Sequence, residues 1–85
     1  MSEALPERVE IDAAGNPELP AELAARLLGA PLEAFIADLR AGVVYSVVER
    51  GEGEDAGRLR LTLRRRATSR VLVVEAATGR VLTLD

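Results

Sequence analysis

The sequence predicts an α+β fold, in which an antiparallel β-meander of three to four strands carries two short helices on one face and a short N-terminal edge strand. Three observations lead to this prediction. Apolar residues recur with a helical period over residues 20–42, they alternate with polar residues after that point, and polar or glycine-rich turns separate the later segments. We expect a flexible N-terminal tail over residues 1–7 and a single small α+β domain over residues 8–85.

The first half of the chain is predicted to hold the edge strand and both helices. Residues 8–12 alternate polar and apolar side chains, as a strand does, and a turn is expected over residues 13–19 around Gly15-Asn16-Pro17. The helices are expected over 20–29 and 31–42, because each segment begins with a proline and ends with a glycine. The residues predicted to face the core are Leu23, Ala24, Leu27, Leu28, Leu32, Phe35, Ile36 and Leu39.

The second half is predicted to form the meander. Strands are expected over 43–50, 58–64, 70–76 and 80–84, since β-branched or alternating residues fill these segments. Turns are expected between them, including a polar, glycine-rich hairpin loop over 51–57.

Charge pairing between neighbouring strands suggests a register, because like charges directly opposite each other destabilise a sheet. We predict that Glu49 lies opposite Arg58 and that Arg60 lies opposite Glu75. One side of the sheet is then almost entirely apolar and is expected to face the helices. Its residues are Val44, Ser46, Val48, Leu59, Leu61, Leu63, Leu72, Val74 and Ala76. Ser46 is the polar exception on this side, and we expect it to have a hydrogen-bond partner.

The opposite side of the sheet combines apolar side chains with charged ones, which is typical of a protein-contact surface. Its candidate interaction residues are Tyr45, Val47, Arg58, Arg60, Arg64, Val71 and Val73. Because so small a chain cannot bury both sides of its sheet, we expect a homodimer, formed through this side or through an exposed strand edge. The alternatives are a different protein partner, a patch too small to bind one, and a patch covered by the N-terminal strand.

Charge is unevenly distributed along the chain. Residues 1–57 hold twelve carboxylates and four arginines, whereas residues 58–85 hold seven arginines and two carboxylates, so the two parts carry net charges of −8 and +5. The arginine-rich strand and turn over 58–70 therefore give an alternative function, the binding of nucleic acid or another polyanion. A net charge of −3 and a single tyrosine for base stacking argue against it.

The composition offers little for catalysis. The chain has no Lys, His or Cys, so it lacks the commonest general base, a thiol nucleophile and the usual zinc ligands. We expect no enzymatic activity and no cofactor. Carboxylates in the acidic loop over 49–57 could hold a cation, although their spacing is not that of an EF-hand. The helix pair has helix-turn-helix spacing, but Glu33 and Asp38 on the second helix would repel phosphates.

The sequence also predicts a cytoplasmic protein without a membrane partner. No apolar run is long enough to cross a bilayer, and the first residues do not form a secretory signal. The absence of cysteine is compatible with a reducing compartment.

The segment from Glu49 to Thr62 has the form E-x-G-x-x-E-D-A-G-x-x-R-L-T. It resembles the central signature of a family of small, uncharacterised proteobacterial proteins, a domain of unknown function. The residues from Val9 to Asp12 resemble the short N-terminal strand of the same family, and the resemblance extends from Val9 to Leu82. It implies a similar order of elements and no known activity, cofactor or catalytic residue. Family members often carry aromatic residues where this chain has Leu59 and Leu63.

Overall fold

A computed structural model describes residues 6–85, which fold into two helices and two antiparallel sheets. The α-helices and strands in chain order are β1 (Glu10–Ile11), β2 (Pro17–Glu18), α1 (Ala21–Leu27), α2 (Leu32–Arg40), β3 (Val44–Arg50), β4 (Arg58–Arg65), β5 (Thr68–Glu75) and β6 (Val81–Leu84), and a single 3-10 turn (Gly53–Asp55) lies in the loop between β3 and β4. The main sheet has the order β3-β4-β5-β6, and β1 pairs with β2. The predicted α+β class, with a four-stranded meander, two short helices and an N-terminal strand, is confirmed. Of the tail predicted over residues 1–7, only Pro6 and Glu7 lie within the described residues.

The helices begin and end where the prolines and glycines predict. Pro20 and Pro31 are the N-cap residues, with φ of −58° and −61°, because the proline ring suits the start of a helix. At the end of α2, the Gly42 N–H donates to the Leu39 carbonyl at 3.2 Å, and the next residue donates to the Asp38 carbonyl at 2.9 Å. This Schellman motif turns the chain from the helix directly into β3.

The register within the main sheet differs from the predicted one by two residues. Glu49 lies opposite Arg60, and Arg58 lies opposite Glu75, so the predicted pairs of Glu49 with Arg58 and Arg60 with Glu75 are wrong. A shift of two residues still leaves every side chain on its predicted side of the sheet, because side chains alternate with a period of two.

The turn between β4 and β5 explains the difference in register between these two strands. Arg65 pairs with Thr68, so the turn contains only Arg66 and Ala67, whereas we predicted a longer turn over 65–69. Arg66 has a φ of +54°, in the left-handed region that two-residue hairpin turns use. Because the turn is short, the pairing of β4 with β5 begins at Arg65 and Thr68, and every later pair follows from this one.

The core lies between the helices and one side of the main sheet. Leu72 and Val74 are completely enclosed, and the three leucines of β4 are buried as predicted. Full burial of one such side chain contributes about 1.5–3 kcal/mol, so this layer is the main source of stability. The buried residues are Val9, Ala24, Ala25, Leu27, Leu28, Ala30, Phe35, Val44, Leu59, Leu61, Leu63, Leu72 and Val74.

Three residues assigned to the core from the sequence are exposed instead: Leu32, Leu39 and Ser46. Ser46 lies on the side of β3 that faces the helices, yet of the residues of β3 only Val44 is buried. The helical layer therefore ends before it covers the outermost strand. Ser46 is open to solvent and does not need the hydrogen-bond partner that we expected.

The short strand β2 was not predicted, since residues 13–19 were assigned to a turn. The Asp12 carboxylate accepts hydrogen bonds from the N–H groups of Ala14 and Asn16, both at 2.9 Å. These bonds reverse the chain, so that Pro17 lies opposite Ile11. A strand of two residues is too short to show a period, so it cannot be recognised from the pattern of side chains.

Candidate functional site: the outer face and the free edge

The seven predicted site residues all lie on the side of the main sheet that faces away from the helices, which we call the outer face. Tyr45 lies opposite Arg64, and Arg60 lies opposite Val73, so neighbouring strands bring these side chains together. Tyr45 and Val47 are 52% and 46% exposed. The remaining candidates are exposed arginines or half-buried valines: Arg58, Arg60, Arg64, Val71 and Val73.

Two of the arginines in the segment 58–70 bind one carboxylate on the helical layer. Arg65 Nε donates to Asp38 Oδ2 at 2.7 Å, and Arg66 Nη2 donates to Asp38 Oδ1 at 3.3 Å. The Asp38 side chain is 14% exposed, so the pair with Arg65 is partly shielded from water. These bonds attach the β4–β5 turn to α2. The Arg65 side chain is 23% exposed and is enclosed by this contact, whereas the Arg66 side chain is still 63% exposed.

Two further arginines also bind partners within the chain. Arg70 Nη1 donates to the Leu27 carbonyl at 2.7 Å, where it satisfies a carbonyl group at the end of α1, and Arg70 Nε donates to the Asp85 carbonyl at 3.1 Å. Arg58 Nη1 lies 3.3 Å from Asp55 Oδ1 in an exposed ion pair. Four of the six arginines in the segment therefore have partners within the chain.

Arg60 and Arg64 differ from these four. Both are exposed on the outer face of β4, and within residues 6–85 neither forms an ion pair. They are separated by Thr62, which lies opposite Val47 on one side and Val71 on the other. The outer face thus presents two available guanidinium groups beside an apolar row, rather than a continuous basic strip.

A depression of about 490 Å³ lies at the end of the outer face next to the loop after β3. Its charged lining is mixed: Glu49, Glu52, Asp55 and Asp85 with Arg50, Arg58 and Arg60. Such a lining favours neither an anion nor a cation. Across residues 6–85, no three acidic side chains come together in a way that could hold a metal ion, so the loop over 49–57 gains no support as a cation site.

The main sheet has an unpaired edge at β3. The Gly51 N–H donates to the Arg58 carbonyl, so alternation directs the backbone groups of Tyr45, Val47 and Glu49 towards β4. The N–H and C=O groups of the intervening residues point away from the sheet, and no backbone partner for them occurs in the part of the chain that the structure describes. We call the segment Val44–Val48 the free edge.

The other edge of the sheet, at β6, is irregular, and the N-terminal segment pairs with the start of this strand. The Val81 N–H donates to the Glu7 carbonyl at 2.9 Å, and the Val9 N–H donates to the Gly79 carbonyl at 2.8 Å. A register irregularity between Val73 and Val74 distorts the pairing of β5 with β6. The N-terminal segment therefore runs beside β6, which does not fit the alternative that it covers the outer face.

Proteins commonly protect exposed sheet edges with charge, proline, bulges or a covering segment. Between Val44 and Val48 the free edge contains no charged residue, proline or glycine, and its pairing with β4 is regular. The sequence predicted that a strand edge could be exposed, but it did not identify which one. Residues 43–48 are uncharged, but so are residues 81–84 of the other edge strand, so this property does not distinguish the two edges.

A groove of about 240 Å³ lies beside the free edge, between β3 and the helices. The sequence did not predict it, because its existence depends on how far the helices extend over the sheet. Most of its lining is apolar: Pro17, Leu19, Ala21, Ala24, Phe35, Leu39, Val44, Tyr45, Ser46, Leu61 and Leu63. Leu39 of α2 and Ser46 of β3 are both exposed at this groove.

Comparison with known proteins identifies a family but no characterised relative. A family model described as "Family of unknown function (DUF6522)" matches residues 1–85. No curated protein and no solved structure matches the chain. The search for membrane spans, made over the described residues, finds no helix with the length and apolar character to cross a bilayer.

Proposed function

The chain belongs to DUF6522, a family of unknown function, and we propose that it is a non-enzymatic protein-interaction module that self-associates through its sheet. The observation that carries this proposal is the free edge. It presents unpaired backbone groups next to Tyr45 and Val47, two side chains that are about half exposed. The bacterial origin, the family signature and the cytoplasmic location expected from the sequence stay predictions.

Pairing of the free edge with another strand supplies two stabilising effects at once. Each new backbone hydrogen bond has a net value of about 0.5–1.5 kcal/mol. Cross-strand contacts to Tyr45 and Val47 add apolar burial on the outer face, where Val71 and Val73 already lie half-buried. Both effects act at the same strand, which supports self-association at β3 over association elsewhere on the sheet.

The composition supports the non-enzymatic part of the proposal. The chain contains no Lys, His or Cys. Ser46 and Ser69 are exposed strand residues, and an exposed hydroxyl without an adjacent base is a weak nucleophile. The outer-face depression has mixed charge and does not resemble a site with one dominant substrate polarity.

The alternative is binding of nucleic acid or another polyanion through the strand and turn over 58–70. Exposed Arg60 and Arg64 support it, since neither forms an ion pair among the described residues. The internal partners of Arg58, Arg65 and Arg70 count against it, because these side chains would have to exchange existing bonds for phosphate contacts.

Sedimentation equilibrium of the full chain at physiological ionic strength tests the proposal. We expect the mass to rise with concentration towards twice the 9.1 kDa of one chain, and to change little with added salt because the free edge is uncharged. A mass of 9.1 kDa at all concentrations up to millimolar would refute self-association. Retention on heparin that disappears with added salt would favour the polyanion alternative.

A further inference from the structure

We propose that two copies of the chain pair their β3 strands antiparallel about a two-fold axis at Ser46, which places Tyr45 of each copy opposite Val47 of the other. This inference rests on the proposed function and specifies its geometry. The two four-stranded sheets would then form one continuous sheet of eight strands. Such an interface uses the same surface on both copies, as two-fold dimers do.

The direction of the backbone groups restricts the possible registers. The residues with outward-facing N–H and C=O groups are Val44, Ser46, Val48 and Arg50, and an antiparallel partner must bond to these groups. If at least five residues of each β3 strand are to pair, the two-fold axis passes through Ser46, Val47 or Val48. The side chains opposite each other distinguish these three arrangements.

An axis at Val47 would place Tyr45 opposite Glu49 of the other copy and Val44 opposite Arg50 of the other copy. An axis at Val48 would place Val47 opposite Glu49 and Ser46 opposite Arg50. Both registers bring Arg50 into the pairing, although its Nη2 atom already donates to the Gly15 carbonyl at 3.2 Å. Both also place charged residues opposite uncharged ones.

An axis at Ser46 avoids these mismatches. Val44 then lies opposite Val48 of the other copy, and Tyr45 lies opposite Val47, with each pair formed twice. Aromatic and β-branched cross-strand pairs are among those that stabilise antiparallel sheets. All charged residues of β3 remain outside the paired segment, because Glu49 and Arg50 follow it.

The same pattern favours a second copy as the partner over a foreign strand. Around Ser46 the free edge has two apolar residues on each side, Val44 and Tyr45 before it and Val47 and Val48 after it. An antiparallel two-fold pairing matches each of these residues with one from the opposite side of Ser46. The segment is therefore complementary to itself.

Cysteine cross-linking tests the register, because the chain contains no cysteine of its own. In the proposed pairing, the two Ser46 Cα atoms form a hydrogen-bonded pair about 5.5 Å apart, within the range that a disulfide spans. In each of the three registers a different residue lies on the two-fold axis, where it meets its own copy. The variants that place a cysteine at these positions are Ser46→Cys, Val47→Cys and Val48→Cys. Ser69→Cys is the matched control, since Ser69 is also exposed but lies on β5, two strands from the free edge.

Each full-length variant is oxidised under mild conditions and analysed on a non-reducing gel. We expect Ser46→Cys to cross-link about tenfold faster than the other three, because cysteines whose Cα atoms are more than about 7 Å apart cannot be bridged without backbone movement. Faster cross-linking at position 47, 48 or 69 in a chain that sediments as a dimer would overturn this register and leave the proposed function intact. A monomeric chain with no preferred position would overturn both.

Hydrogen exchange of the unmodified chain gives a second test that does not depend on a variant's folding. We expect the amides of Val44, Ser46 and Val48 to exchange more slowly as the protein concentration rises, because pairing gives them hydrogen-bond partners. The amide of Leu84, on the other edge strand, should be unaffected. Concentration-independent exchange at all three positions would contradict the proposed pairing.

Discussion

Asp38 is a carboxylate of the acidic first part of the chain that binds two arginines of the second part. Its two carboxylate oxygens accept from Arg65 and Arg66, and Arg65 is only 23% exposed. We expect Asp38→Asn to lower the free energy of unfolding by about 1–2 kcal/mol, because the charge-assisted bonds weaken and Arg65 loses its counter-charge. Urea denaturation measures this change.

The control for Asp38 is Glu33→Gln, an exposed position on the same helix. It should change the free energy of unfolding by no more than about 0.5 kcal/mol. Equal effects of the two substitutions would show that the bonds to Asp38 contribute nothing specific to stability.

Gly79 and Gly42 allow a comparison in which only the surroundings differ. Both have a φ of +77°, but a Cβ atom at Gly79 would collide with the Val9 carbonyl, whereas nothing lies within 4 Å of the same position at Gly42. We expect Gly42→Ala to cost about 1–2 kcal/mol for the left-handed backbone alone. Gly79→Ala should cost clearly more, since it must also displace the N-terminal segment from β6.

Urea denaturation of both glycine variants tests this comparison. Similar losses would mean that the contact between Gly79 and Val9 does not stabilise the fold.

At the level of single residues, the sequence predicted side-chain direction well and side-chain partners poorly. Alternation placed Leu59 and Leu63 inside and Tyr45 outside, because this property depends only on neighbours along one strand. The partner of Arg65 is 27 residues away on a helix, and nothing local specifies it. The exposure of Ser46 also depended on a distant element, the end of the helical layer.

At the level of elements, helices and strands followed from the sequence, while the register did not. A two-residue hairpin turn can normally be recognised in a sequence by Asn-Gly or a similar pair, but the turn here is Arg66-Ala67. In the absence of that signal, charge pairing predicts a register two residues away from the observed one. Because both candidate registers keep Tyr45 and Val47 on the same face, the predicted surface survived the error.

The free edge of β3 leads to a prediction for association. Val47→Lys places a charge in the middle of this edge, which is a common natural means of preventing strand pairing. Because Val47 is 46% exposed, the monomer should remain folded. We expect the dimer dissociation constant to rise at least about tenfold, which corresponds to 1.4 kcal/mol, measured by sedimentation equilibrium.

Thr83→Lys is the control for the edge substitution, since Thr83 is exposed on the same face but belongs to β6. It should leave the dissociation constant unchanged. If Val47→Lys associates as tightly as the unmodified chain, the free edge is not the interface.

At the level of the whole molecule, folding brings together the two oppositely charged parts of the sequence. The segment 58–70 contains six arginines, yet four of them have partners within the chain. The sequence showed the charge but not this internal use of it. Likewise, strand order decides which strand is outermost, so the position of the free edge required the complete topology.

A dimer also affects the stability of the whole molecule. With 85 residues the single chain has a small core, and binding to a second folded copy shifts the equilibrium towards the folded state. We therefore expect the thermal unfolding midpoint to rise with protein concentration, as followed by circular dichroism. The rise of the midpoint with concentration should persist in Thr83→Lys and weaken in Val47→Lys. An identical midpoint at every concentration of the unmodified chain would contradict dimerisation.

The pairing of Glu7 with Val81 at the start of β6 has a consequence for how far assembly can proceed. Once two chains have joined through β3, both ends of the joined sheet are β6 strands whose first residue, Val81, is already bonded to Glu7. A third chain could then add only at residues 82–84, next to this bonded residue and to the irregular β5–β6 pairing. We expect these two features to disfavour such addition, so crowding should yield a saturating species of fixed size instead of a growing fibril.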